Sequence, residues 1–231
     1  MKRFYDDVSV AEADGGWQVA LDGRGIKTIA GAAQIVPTRP LAEALAAEWA
    51  EQTEQLDPKT FPQRDLADYA IDQAAKDPAA LAQKLSAYGD TDTLLYRAEP
   101  DEPLHLRQLA QWEPLVSAFE AHHAITLKRI SGIIHQPQDK AALEVLTGQL
   151  LSHNIFALVG IEVMTSLAAS LIIALSAARA ERDAAELWQA ACLEEEWQAD
   201  LWGRDWEAEE RRQRRRQEFL RACDFTRLAQ G

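Results

Sequence analysis

Residues 34–49 read QIVPTRPLAEALAAEW, and within these sixteen positions the chain changes period. Gln34-Ile35-Val36 is a short extended run, and Pro37 stops it because proline cannot donate to a strand ladder. Thr38 can cap a helix beginning near Pro40, where a hydroxyl accepts an orphan amide and proline suits the first turn. Leu41, Leu45, Glu48 and Trp49 then recur on helical spacing, to about Gln55. Upstream of the switch everything has β character. Phe4 to Val10 is a strand candidate, and Asp14-Gly15-Gly16 is a turn. Trp17 to Leu21 alternates, and Asp22-Gly23 offers a hairpin turn before Ile26 to Ile29.

Downstream the helical period persists. Leu56 to Pro62 carries two prolines and is a connector; beyond it the spacing predicts helices over 64–76, 78–97, 103–122, 138–152, 154–179, 182–203 and 205–227. Ile125 to Ile134 is ambiguous and can hold short extended pieces. The expected fold class is therefore α+β. A small antiparallel β-rich N-terminal domain with one helix (1–62) precedes a larger all-helical C-terminal domain (63–231).

Ile155 to Leu175 has the length of a bilayer crossing. It contains Glu162, and a carboxylate mid-span costs about 2.5–3.5 kcal/mol. No aromatic belt marks its ends. It reads as the central buried helix of a soluble domain, so stable membrane insertion is not expected. The N-terminus, Met1 to Asp7, lacks the apolar run of a secretory signal and is too acidic for a transit peptide. A bacterial cytoplasm, or a mitochondrial matrix for a processed eukaryotic form, is the expected setting.

Against 37 Asp plus Glu stand 24 Lys plus Arg, a net charge of −13. A protein that coats nucleic-acid phosphates is not built this way. The deficit is uneven: residues 204–231 carry eight bases against six acids. Arg211 to Arg216 is the one basic cluster, and a helix with acids early and bases late suits the macrodipole without any nucleic acid. Cys192 and Cys223 allow neither a disulfide framework nor a four-cysteine zinc site. The five histidines lack the spacing of a zinc hydrolase. Gly23-Arg24-Gly25 lacks the third glycine and following helix of a phosphate loop, and no nucleophile elbow is present. The expectation is a binding protein, not an enzyme, with no metal and no cofactor.

Four of the seven tryptophans, Trp188, Trp197, Trp202 and Trp206, lie close together in the sequence. At about 100° per residue on one continuous helix, Cys192, Glu195, Ala199, Trp202 and Trp206 fall within about 40° of Trp188. Glu195 is thus a carboxylate inside an aromatic stripe. Either it pairs internally, with an arginine of the last helix, or it recognises another protein from a partly exposed apolar patch. An enzyme reading would make Glu195 and Asp200 an acid/base pair of a hydrolase, but on a straight helix they point about 140° apart.

The chain resembles the ATP12-type assembly chaperones of the F₁ sector of ATP synthase. The similar stretches are Arg3-Phe4-Tyr5, Val19 to Arg24 with Lys27-Thr28, Val36-Pro37-Thr38 with Leu41-Ala42, Glu48-Trp49 with Gln52, and Asp57-Pro58 before Pro62. Others are Ala70-Ile71-Asp72, Tyr88 with Thr91-Asp92 and Tyr96-Arg97, Gln111-Trp112 with Pro114-Leu115, and Leu193-Glu194-Glu195 with Gln198 and Trp202-Gly203. Ile29, Phe61 and Gln63-Arg64 depart from the family pattern. The resemblance implies a chaperone, monomeric when free, that holds the free α subunit and shields a surface the β subunit later covers. It implies partner-binding residues at Glu195, Gln198, Trp202, Gly203 and Asp205.

Overall fold

A computed structural model of the chain describes residues 2–132, 134–180 and 182–231. Thr38 does what its position asks: its hydroxyl accepts from the amide of Leu41, and α1 runs over Arg39–Ala50 with Leu41, Leu45, Glu48 and Trp49 buried. The helix stops short of Gln55. The Gln52 amide donates to the Glu48 carbonyl (2.9 Å) while its oxygen accepts from Asp57 N, and the Arg3 guanidinium takes the Gln52 carbonyl at 2.7 Å. Those bonds turn the chain.

Before α1 lie strands β1 (Val8–Ala13), β2 (Gly16–Leu21), β3 (Arg24–Gly25) and β4 (Ile35–Val36), all antiparallel, with β2 pairing each of the others. Asp22 and Gly23 both have positive φ (49° and 74°), the hairpin geometry an Asp-Gly pair favours. Two strands differ from expectation. β1 starts at Val8, not Phe4, because the amides of Asp6 and Asp7 donate to the Asp22 carboxylate. The run from Ile26 to Ile29 is not a strand but leads into a turn. Thr28 donates to Asp72 at 2.7 Å, and the amides of Ile29 and Ala30 donate to Asp68 and Asp72. These carboxylates belong to α2 (Pro62–Asp72), which takes the donors a neighbouring strand would otherwise need.

The expected helix over 64–76 is α2 followed by one 3₁₀ turn, Ala74–Lys76. That over 78–97 is shorter: α3 (Pro78–Ser86) ends in two 3₁₀ turns, and Tyr96–Arg97 is a strand, β5. Asp92 causes the change. It is fully buried, accepts from Leu94 N and reaches Ile172 N at the start of another helix. Then come α4 (Pro103–His123), β6 (Ile130–Ser131, parallel to β5), α5 (Lys140–Ser152), α6 (Ile155–Ala168) and α7 (Leu171–Ala178). So the Ile125–Ile134 segment does hold an extended piece; Ile133 lies outside the described residues. The helix expected over 154–179 is broken: Ala169 has φ 49°, and Ser170 caps α7 by accepting from Ile173 N. The remaining helices are α8 (Ala184–Ala191), α9 (Leu193–Trp202) and α10 (Trp206–Gln230).

Contacts divide the chain into two units. One comprises the residues through Pro78 with His153–Gly160 and Asp224–Gly231; the other comprises Ala79–Ser152 and Ile161–Cys223. The expected break after residue 62 falls at the first residue of α2, a helix that groups with the β-rich unit. In that unit Glu48 is buried and accepts from Gln63 N (2.7 Å) and Arg64 N (2.9 Å), supplying the cap that α2 lacks at Phe61. The Tyr5 hydroxyl donates to the Trp49 carbonyl at 2.7 Å.

In the other unit the core is built on α7, whose eight residues are all buried. Trp112 and Phe119 of α4, Trp188 of α8 and Phe219 of α10 are buried in the same unit. Glu162, the carboxylate inside the apolar run, pairs with Lys84 at 2.8 Å. Among the described residues no helix is long and apolar enough to cross a membrane.

Candidate functional site: the α8–α9–α10 segment

Asp183 opens this segment by accepting from the amides of Ala185 and Glu186. α8 ends at Cys192 (φ −91°, ψ 8°), and α9 starts at the next residue. The Trp112 indole fixes the junction by donating to the Ala190 carbonyl at 2.8 Å. The continuous helix expected over 182–203 is therefore two helices. The single aromatic stripe is corrected with it: Trp188 is only 2% exposed, whereas Trp202 is 78% and Trp206 72% exposed. Cys192 is buried, which pushes its thiol up to about 12 and makes it a poor nucleophile.

Three carboxylates, Glu194, Glu195 and Glu196, occupy the first turn of α9, where a helix dipole favours negative charge. Each has a different partner. Glu194 is half-buried, accepts from Gln108 of α4 at 2.7 Å, and burial raises its pKa. Glu195 is exposed on about half its side chain (47%) and pairs with Arg215 of α10 at 2.9 Å. Arg215 also donates to the Leu167 carbonyl and lies 5.4 Å from the centre of the Trp188 ring. Glu196 pairs with Arg204 and Arg212, both at 2.9 Å.

Glu195 is thus internally paired and still half in water. Farther along α9, Asp200 pairs with Arg107 (3.0 Å), whose guanidinium also lies near the Trp197 ring. The hydrogen bond from Arg107 holds the Asp200 carboxyl below its ordinary range, so it is set to stay ionised. That is the wrong bias for a general acid.

The basic cluster Arg211 to Arg216 belongs largely to this ladder. Arg212 bridges Glu196 and Glu209, Arg214 faces Glu210, and Arg215 holds Glu195. Its cations face carboxylates of α9 and of α10 itself, which is the arrangement of a helix–helix seam and not of a phosphate track.

α9 ends because Gly203 adopts φ 91°, ψ 159°, a region essentially closed to residues with a Cβ. Asp205 then starts α10 by accepting from Ala208 N at 2.9 Å. On either side of this glycine joint stand Leu201 (57% exposed), Trp202 and Trp206, three large apolar side chains with most of their surface in water. Gln198 and Asp205 are exposed as well. The sequence-expected set, Glu195, Gln198, Trp202, Gly203 and Asp205, thus sits on α9 and the joint. Leu201, Arg204 and Arg215 were not in it. The acids in the first turns of α9 and α10 signal basic partners, but not which arginines supply them.

A profile described as "ATP12 chaperone protein" matches residues 2–120. This chain belongs to the ATP12 chaperone family. The matched stretch ends before α9, a part of the chain that the likeness to solved structures covers. The crystal structure of Atp12 from Paracoccus denitrificans superposes with a TM-score of 0.95 at 34% identity, covering 99% of this chain and 98% of that one. A solved chain from Agrobacterium tumefaciens gives 0.91, also at 34% identity, over 99% and 85% of the two chains. The mitochondrial protein atp12 of Schizosaccharomyces pombe is 26% identical over 214 residues, 87% of this chain and 74% of its own. The small antiparallel sheet followed by helices is thus an ATP12 family fold, and the chain is an assembly chaperone of that family.

Proposed function

We propose that the chain binds the free α subunit of the F₁ sector of ATP synthase and covers the surface that the β subunit later takes, acting by binding alone. The observation that carries this reading is the cluster of Leu201, Trp202 and Trp206 standing in solvent beside the α9–α10 charge ladder. Exposed aromatic anchors next to charge are the composition of an interface centre. Such a patch holds a client by apolar burial, while the charges around it tune how readily a better partner displaces it. Glu195 has a role suited to exchange: its carboxylate is half in water and already oriented by Arg215, so a client cation can share or replace that partner. Gln198 lies one helical turn away on the same side, and Gly203 with Asp205 sets where Trp202 and Trp206 point.

Co-purification from the native cell extract with the tagged chain tests this. The α subunit is expected in the eluate; recovery of no ATP synthase component across a range of salt concentrations overturns the proposal.

A further inference from the structure

The β-rich unit contains a cavity of about 450 Å³ that the α9–α10 reading does not use. Its apolar wall is made by Phe4, Tyr5, Leu21, Ile26 and Trp49. Phe4 is 62% exposed although its ring meets that of Tyr5 edge-on at 5.3 Å, so the wall continues to the surface. Gly25 also lines the cavity, and a Cβ there would collide with the Gln18 amide. Arg24 and Lys27 also line the cavity, are exposed, and make neither an ion pair nor a side-chain hydrogen bond among the described residues. Arg3 adds a third positive charge 4.6 Å from the Tyr5 ring, its guanidinium donating to the carbonyls of Tyr5, Asp6 and Gln52. The one carboxylate in the lining, Asp22, accepts from the amides of Asp6 and Asp7 and also interacts electrostatically with Arg24 and Arg3. Trp49 keeps its buried indole N–H without an acceptor among the described residues. In a chain with net charge −13, the lining of this aromatic hollow carries two cations against one carboxylate.

We propose that this cavity binds an extended peptide segment in which a large apolar side chain is flanked by carboxylates. The apolar side chain fills the space between Phe4, Leu21 and Trp49, and the carboxylates meet Arg24 and Lys27. The β-rich unit thereby gains a recognition site of its own, separate from the tryptophan joint.

The test uses the full chain and three blocked synthetic peptides: Glu-Phe-Glu, Lys-Phe-Lys and Glu-Ser-Glu. The indole N–H cross-peak of Trp49, assigned by its loss in Trp49→Phe, is expected to move with Glu-Phe-Glu only. R24E/K27E is expected to weaken that binding about tenfold or more, and high salt to weaken it in the parent. Phe4→Ala is expected to weaken it with the charges intact. Equal binding of Lys-Phe-Lys, equal binding of Glu-Ser-Glu, or an unmoved Trp49 cross-peak overturns the proposal. The three-peptide comparison is made on the unmodified chain, so it decides even if a variant misfolds. Failure here leaves α-subunit capture through α9–α10 untouched, since that is read by co-purification.

Discussion

Trp112 and Trp202 are the same side chain put to opposite uses. Trp112 is fully buried, and its indole N–H is satisfied by the Ala190 carbonyl; Trp202 stands 78% exposed at the end of α9. The carboxylates divide the same way. Asp92 is sealed inside and accepts backbone amides from two elements, while Glu195 sits half in water against Arg215. The interior members are explained by folding. The exposed members are not sealed by the fold, and that contrast is why we propose function at the joint between α9 and α10.

The largest expected effect tests the interior side. Trp112→Ala should destabilise the chain by about 3–5 kcal/mol, read by urea unfolding, because it leaves a cavity and removes the indole bond to the Ala190 carbonyl. A cost within 1 kcal/mol would break the contrast. Next are the buried carboxylates. Burial raises Glu48 to about 7 and Asp92 to about 6. The folded state therefore holds these protons more tightly than the unfolded chain does. Their contribution is full below the unfolded values near 4 and is lost as pH rises through 6 to 7. The urea midpoint should fall across that window, by at most about 3 kcal/mol from each group, and Glu48→Gln should flatten part of the slope.

On the exposed side, Trp202→Ala should weaken capture of the α subunit by about 2 kcal/mol, or roughly thirtyfold. Its stability, read by urea unfolding, should stay within about 0.5 kcal/mol of the parent, as is usual for surface changes. A large stability loss would move Trp202 to the interior class. A small stability effect is likewise expected for Glu195→Ala. Breaking an exposed ion pair costs under about 1 kcal/mol, so circular dichroism should report a folded chain while client capture falls. Loss of the fold would assign the Glu195–Arg215 pair to structure alone.

Local chemistry made part of this legible in advance. Thr38 with Pro40, the Asp22-Gly23 turn, and the burial of Leu41, Leu45 and Trp49 are written within a few residues of one another. The breaks at Ala169–Ser170 and Cys192 are not, because neither place carries a proline or glycine. The first depends on Asp92, which reaches Ile172 N from eighty positions away, and the second on Trp112 holding the Ala190 carbonyl. The helical-wheel reading of the tryptophans assumed one rod from Trp188 to Trp206. Once Cys192 and Gly203 interrupt it, positions that share an angle no longer share a face. Glu195 was legible as an unusual carboxylate, but its pairing with Arg215 required knowing how α10 packs on α9.

The wholly buried α7 has a consequence for the birth of the protein. Its eight apolar and small residues leave the ribosome before α8 and α10, which bring Trp188 and Phe219 to the same core, have been made. For that interval the nascent chain displays the sticky, unfinished surface that invites aggregation. An assembly chaperone must itself first come through an unguarded stage of its own.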